Sequence, residues 1–286
     1  MSFGGIMVQT EARILSRKKV AKGIFKMSLF APEICRTARP GQFINIRLTK
    51  MRDPLLRRPF SIHRVNGDVL EILLRVVGRG TDLLAQLPRK TTLDILGPLG
   101  HGFTLSDRSA AVLIAGGMGI APLYLLAEEL VKKAKEVFFL IGAEKKSLVL
   151  YETECRKLGS KVYVSTDNGS HGYKGFVTAL LASLLDEGKI PQDAQYYACG
   201  PDPMLRALAP IVKSRGLSCQ ISLEEKMACG IGTCLSCVCK VKPEIAIARR
   251  GMKESHIQTS PDFPYGYGLV CSDGPVFDIE EVVWED

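Results

Sequence analysis

The sequence predicts an antiparallel β-barrel over residues 1–104, a doubly wound parallel α/β sheet over 105–221 and a small thiol-rich module over 222–286. Three observations predict this order. Up to about residue 104, short runs alternate apolar and polar residues between turn signals. Beyond it, apolar strands alternate with helical patterns, as they do in a parallel sheet with helices on both faces. Near the end, Cys229, Cys234 and Cys237 crowd into one loop with Gly230 and Gly232 between the first two. A chain of 286 residues is long enough for two domains and such an appendage.

The barrel strands are read from period-two alternation. Phe25, Met27 and Leu29 alternate with Lys26 and Ser28, and Ile44, Ile46 and Leu48 alternate with Phe43, Asn45 and Arg47. Val69 to Val77 is a further apolar-rich run, and Pro40-Gly41, Asn66-Gly67 and Gly97-Pro98 punctuate the series as turns. In the second unit Ala111 to Ala115 is a buried strand, followed by a glycine turn and a helix from about Pro122 to Lys133. Strands follow at Val137 to Ile141, Val162 to Ser165 and Tyr196 to Cys199, with a helix near Phe176 to Leu185. Asp202-Pro203 opens a last helix that ends near Gly216, because Asp caps free amides and Pro fits the first turn.

Composition narrows the function classes. With 46% hydrophobic and 24% charged residues the chain reads as ordinary globular protein rather than disordered or fibrous. Ser109 to Ala127 carries no formal charge over 19 residues, but Gly116, Gly117, Gly119 and Pro122 interrupt it, so a strand, turn and helix explain it better than a bilayer span. The N-terminus lacks a basic start followed by an apolar core, so a cytoplasmic protein is expected. The net charge of +8 comes without an arginine-rich run or a basic patch interleaved with aromatics, which argues against nucleic acid. Anionic dinucleotides, an acidic protein partner or a merely solvated surface would accommodate it.

The motifs bear on redox chemistry. Four of the nine cysteines are scattered and read as buried thiols, while five lie between 229 and 271. The C-x4-C-x2-C run with a distant fourth thiol is the plant-type spacing of a [2Fe–2S] cluster. Zinc is the rival, but structural zinc sites favour two short pairs rather than three thiolates in one loop. Cys239 competes for the fourth position; Cys271 is separated enough to close the cage from the other side and is the expected fourth ligand. Arg57-Arg58-Pro59-Phe60-Ser61 offers a guanidinium for pyrophosphate and a ring for stacking, though an exposed strand end would look the same. Gly78-Arg79-Gly80-Thr81 precedes a short helix, where backbone amides suit a phosphate. Gly116, Gly117 and Gly119 lie between a buried strand and a helix, where glycines let a pyrophosphate approach. Cys199 and Gly200 close a strand at the sheet end that binds ligands, and Cys199 either faces a nicotinamide ring or is simply buried. No paired carboxylates, serine triad or histidine cluster stands out, so no catalytic side chain is expected and cofactors carry the reaction.

Together these motifs resemble the ferredoxin-NADP reductase superfamily and, more narrowly, the electron-transfer subunits of type B dihydroorotate dehydrogenases. The resemblance runs from about residue 9 to 284, and its most specific part is the thiol module ending in Cys271-Ser-Asp-Gly-Pro-Val-Phe. It implies a soluble oxidoreductase subunit of pyrimidine biosynthesis that binds FAD, one [2Fe–2S] cluster and NAD. Its partner would be an FMN-containing dihydroorotate dehydrogenase catalytic subunit, in a heterotetramer of two of each. By position, Arg58, Pro59, Phe60, Ser61, Leu73, Leu74, Arg75, Gly80 and Thr81 would line FAD, and Cys229, Cys234, Cys237 and Cys271 would bind the cluster. Relatives often carry Tyr where Phe60 stands, and a shorter loop where Lys242 to Tyr265 forms an expected extra hairpin or flap. Flavin subunits of sulfide dehydrogenases or NADH-dependent ferredoxin reductases are the alternative; the related subunits place Asp where Cys229 stands. A redox-sensing or zinc-stabilised binding module is the non-enzyme alternative. Glu144 would favour a ribose hydroxyl, while Lys145 and Lys146 would accept a 2′-phosphate, so NAD rests on the resemblance.

Overall fold

The computed structural model describes residues 7–48, 53–250 and 264–284. Seven strands make the first sheet: β1 Val8–Ala21, β2 Ile24–Phe30, β3 Phe43–Arg47, β4 Arg58–Ser61, β5 Arg64–Asn66, β6 Val69–Arg75 and β7 Thr92–Leu99. Two short helices interrupt it, α1 Pro32–Cys35 and α2 Arg79–Gln86. The order is β4-β3-β7-β1-β2-β6-β5, all antiparallel. Its edges β4 and β5 are joined through Ile62 and His63, whose N–H groups donate to Gln42 O and Glu71 O at 2.9 Å. The sheet therefore curls until its edges meet, leaving few unpaired strand groups in solvent. Its interior is filled by Ile14, Met27, Leu29, Ile44, Ile46, Ile72 and Leu74.

The second sheet holds β8 Ala110–Gly116, β9 Glu136–Ala143, β10 Lys161–Thr166, β11 Tyr173–Lys174, β12 Gln195–Cys199 and β13 Ser218–Ser222. Around them lie α3 Ile120–Lys132, α4 Glu152–Lys157, α5 Val177–Asp186 and α6 Asp202–Arg215. In β8, Val112 and Ile114 face the core under α5 and α6, while Ala111, Leu113 and Ala115 face the core under α3. Burial on both faces explains why this strand reads as an unbroken apolar run. The uncharged stretch up to Ala127 has the same origin: α3 packs Leu123 and Leu126 on the sheet and Leu125 into the barrel core. Among the described residues no helix is long and apolar enough to cross a membrane.

The order β11-β10-β9-β8-β12-β13-β16 changes direction between β8 and β12. Ligands of open α/β sheets bind where strand order reverses, outside the carboxyl ends of the strands. The seventh strand, β16 Val276–Asp278, pairs antiparallel with β13, so the tail of the thiol-rich region returns to the nucleotide sheet. The remaining strands, β14 Val238–Val241 and β15 Gly266–Leu269, form a separate antiparallel pair joined on one side to α7 Pro243–Arg250. Of the insert expected as a hairpin or flap between Lys242 and Tyr265, residues 242–250, which include this helix, and 264–265 are described; residues 251–263 lie outside the described residues.

Candidate functional site

A cleft of about 450 Å³ opens at the reversal point, where the barrel meets the nucleotide sheet. Pro59, Phe60 and Ser61 of β4 form one wall, and Leu73 and Arg75 of β6 another. Thr81 closes the rim: its Oγ1 accepts from the N–H groups of Val77 and Gly78 at 2.9 and 3.2 Å and donates to Gly78 O, fixing the turn into α2. Strand alternation sends Leu74 the other way, fully buried in the barrel, so its side chain is not in the cleft. Arg58 and Gly80 meet beside it. A Cβ on Gly80 would stand 2.7 Å from Arg58 Nε, so glycine lets the guanidinium lie across the first turn of α2. Cation and helix N-terminus then present positive charge to one place.

The opposite wall is the turn from β8 to α3 with the end of β12. Gly116, Gly117, Gly119 and Gly200 all line the cleft, but for different reasons. Gly117 has φ +54° and nothing within 4 Å of an added Cβ, so it leaves backbone open to a ligand. Gly116 and Gly200 pack on Met204, whose sulfur would lie 2.4 and 2.7 Å from their Cβ atoms. Cys199 is 1% exposed and lies beneath the floor rather than in the cleft; burial pushes its thiol well above the ordinary value. A neighbouring cleft of about 390 Å³ continues from Gly116 and Gly117 along the ends of β9 and β10, with Glu144 and Asp167 on its wall. Asp167 N–H donates to Ala143 O at 3.1 Å, holding the two carboxylate-bearing loops side by side.

The thiols come together in the loop after β13. Cys237 and Cys271 are buried, Cys229 is half-buried and Cys234 exposed. Six backbone N–H groups are directed at their sulfurs: those of Ile231, Thr233 and Cys234 at Cys229, Cys229 at Cys234, Gly232 at Cys271 and Cys271 at Cys237, over 3.1–3.5 Å. The left-handed Gly230 and Gly232, at φ +75° and +83°, turn the chain so that these amides point inward. Ser236 Oγ lies 3.2 Å from Cys234 Sγ, and this contact leads in lowering that thiol to about 6. Burial, then the nearby Cys237, pushes Cys271 up to about 12. Such a donor set suits sulfurs that carry negative charge in a cluster. Among the described residues no three His, Cys, Asp or Glu side chains close around a single point as one metal ion would require. Cys239 instead directs its sulfur to Gly268 O at 3.6 Å, within the β14–β15 pair.

Asn45 joins the two sites, and sequence reasoning missed it. Its Nδ2 donates to Cys229 O at 3.1 Å, and its ladder partner on β4 is Pro59 in the cleft wall. Asn45 is completely buried because the thiol loop covers the face of β3 that its polar spacing assigns to solvent. Met227, two residues before Cys229, also lines the cleft. A polar residue flanked by Ile44 and Ile46 was the available signal for Asn45; Asp167 had none. In the same loop as the exposed Cys234 and just after it, Ile231, Leu235 and Val238 are exposed apolar side chains, with Leu235 59% exposed.

Residues 113–209 match the family described as oxidoreductase NAD-binding domain, and residues 224–250 match the iron-sulfur cluster binding domain of dihydroorotate dehydrogenase B. The chain is similar to the dihydroorotate dehydrogenase B (NAD(+)) electron transfer subunit of Geobacillus sp. (strain WCH70), at 39% identity over 97% of this chain and 100% of that one. It is 41% identical to the corresponding subunit of Bacillus mycoides (strain KBAB4), over 94% and 96% of the two chains. Among solved structures, an NADH-dependent reduced ferredoxin-NADP oxidoreductase superposes with a TM-score of 0.80 at 27% identity, over 99% of this chain and 92% of that one. A ferredoxin NADP+ reductase from Neisseria gonorrhoeae, with bound FAD and NADP, shares the fold at 20% identity, with a TM-score of 0.63 over 73% and 92% of the chains.

Proposed function

Because the chain belongs to the family of dihydroorotate dehydrogenase B (NAD(+)) electron transfer subunits, we propose that it links an FMN-containing dihydroorotate dehydrogenase catalytic subunit to NAD+, with FAD and one [2Fe–2S] cluster as resident cofactors. When bound, the cluster supplies single-electron exchange and the flavin couples it to hydride exchange with the nicotinamide. The chain's own residues hold, orient and shield. Arg58 and the first turn of α2, with Gly80 and Thr81, take the flavin's pyrophosphate; Phe60 and Leu73 flank its ring, Pro59, Ser61 and Arg75 complete the wall, and Leu74 serves only through its backbone. Gly117 leaves room for the dinucleotide, while Gly116, Gly119, Gly200 and the buried Cys199 hold the floor rigid beneath it. Cys229, Cys234, Cys237 and Cys271 take the cluster, and no general base is needed.

The observation that carries this reading is the Asn45 bridge. Directly opposed residues of adjacent strands lie about 4.5–5.5 Å apart between Cα atoms. The thiol loop is thus anchored one strand away from the flavin wall. The apolar rim at Ile231, Leu235 and Val238 is the face offered to the catalytic subunit, in a cytoplasmic assembly of two of each chain. Purified with that subunit, the complex is expected to reduce NAD+ with dihydroorotate. Alone, the chain should contain iron and sulfide in equal amounts with half as much FAD, and reduce dyes with NADH. A chain holding zinc alone would sink the reading.

Glu144 and Asp167 on the adenosine-side wall support NAD over NADP, since a 2′-phosphate would meet two carboxylates of which only Glu144 has a lysine beside it, Lys145 at 3.8 Å. The double variant Glu144→Gln, Asp167→Asn is expected to raise the kcat/KM ratio of NADPH to NADH about tenfold, equivalent to about 1.4 kcal/mol. An unchanged ratio would place the selectivity elsewhere.

A further inference from the structure

A third cleft, of about 420 Å³, lies between the outer face of the barrel and the loop after β9, and shares no lining residue with the two clefts above. Its cations are Lys18 and Lys19 of β1, Lys26 of β2, Arg64 of β5 and Lys146. A bulge between Lys19 and Ala21 breaks the alternation of β1 just where Lys18 and Lys19 reach the same cleft. Most of the opposing charge is already used. Lys26 holds Glu71 at 2.9 Å, Arg64 holds Glu128 at 2.8 Å, and Glu152 is taken by Arg156 and His171 at 3.1 and 2.8 Å. Among the described residues Lys18, Lys19 and Lys146 form no ion pair, and Glu154 is the one lining carboxylate without one. Three free ammonium groups against one carboxylate leave a concave positive surface that focuses anions.

The lining also carries an aromatic pair. Tyr124 and Tyr151 meet edge-to-face, 5.0 Å apart between centroids and 63° between planes; Tyr124 is 5% exposed and backs the half-buried Tyr151, and neither hydroxyl has a hydrogen-bond partner among the described residues. Behind them His63, fully buried and held neutral by burial at about 3, stacks on Tyr124 at 5.0 Å and meets Tyr151 edge-on at 4.5 Å. Its Nδ1 faces Ala121 O at 3.1 Å, which locks the aromatic wall to α3. Lys146 is pre-set as well, since its backbone N–H donates to Ser170 Oγ at 2.8 Å, and Ser170 is fixed by Asn168. The volume lies within the usual range of roughly 300–1,000 Å³ for small-molecule sites.

We infer that this cleft binds a nucleotide, its phosphate held by Lys18, Lys19 and Lys146 and its base laid against Tyr151, which Tyr124 supports from behind. The occupant would bridge β1 of the barrel and the loop of the nucleotide sheet. The test is calorimetric titration of the FAD- and cluster-loaded chain with AMP, UMP and inorganic phosphate, with NAD+ saturating so that the dinucleotide cleft is filled. Saturable binding of AMP or UMP at one site per chain, at least tenfold tighter than inorganic phosphate, is expected. The double variant Lys18→Glu, Lys146→Glu should weaken it at least tenfold while retaining NADH-dependent dye reduction, because both lysines are exposed and lie outside the other clefts. Absence of saturable binding, competition by NAD+, equal affinity for inorganic phosphate, or an unaffected double variant would each overturn the proposal.

Discussion

Replacing Gly119 by alanine is expected to destabilise the nucleotide-binding sheet by about 3–5 kcal/mol, a large part of the roughly 5–15 kcal/mol that holds a domain folded. The turn itself is not strained, since its φ of −59° suits any residue. The obstacle is space: an added Cβ would stand 1.9 Å from Cys199 O and 2.4 Å from its carbonyl carbon. Those atoms belong to β12, which is clamped between β8 and β13 and cannot retreat without breaking both ladders. Overpacking against a flexible side chain costs about 1–3 kcal/mol, and a backbone obstacle costs more. Urea unfolding checks this, with Gly78→Ala as the control: Gly78 is extended and has nothing within 4 Å of an added Cβ, so its midpoint should barely move. An unshifted Gly119→Ala midpoint would mean that the turn and β12 are not packed as described.

Cys271→Ser should abolish the cluster, and Cys239→Ser should leave it in place. Cys271 Sγ lies 3.1 Å from Gly232 N in the loop that carries Cys229 and Cys234, and its own N–H reaches Cys237 Sγ at 3.4 Å. Cys239 is only two residues beyond Cys237, but β14 directs its sulfur toward Gly268. Iron content and visible absorption after purification under nitrogen distinguish the two, with FAD expected to be retained in both because the wall proposed to hold it belongs to β4 and β6. Cluster loss in Cys239→Ser but not in Cys271→Ser would reverse the assignment of the fourth ligand.

Much of this was legible locally. A C-x4-C-x2-C run with two glycines, alternation in barrel strands and the strand–glycine–helix order around Gly116 are short-range patterns, set by side-chain periodicity and backbone freedom. Their resemblance to one superfamily led to the same cofactors that the family relationship supports. Local pattern has limits: Leu74 follows Leu73 in sequence, yet alternation turns its side chain into the barrel, and of the two placements open to Cys199 the structure shows the buried one, beneath the sheet floor. The return of β16 to β13 and the helix in the insert had no comparable signal.

The sequence by itself determined which residue types are present to hold flavin, dinucleotide and cluster, because those requirements are chemical and short in range. Only the tertiary structure decided how the sites sit together. The places of Asn45, Asp167 and the lysines of the third cleft depend on neighbours distant in the chain, as that of Asn45 does on Cys229. Such contacts depend on which faces the folded sheets bring together, and no spacing within one strand or loop records that.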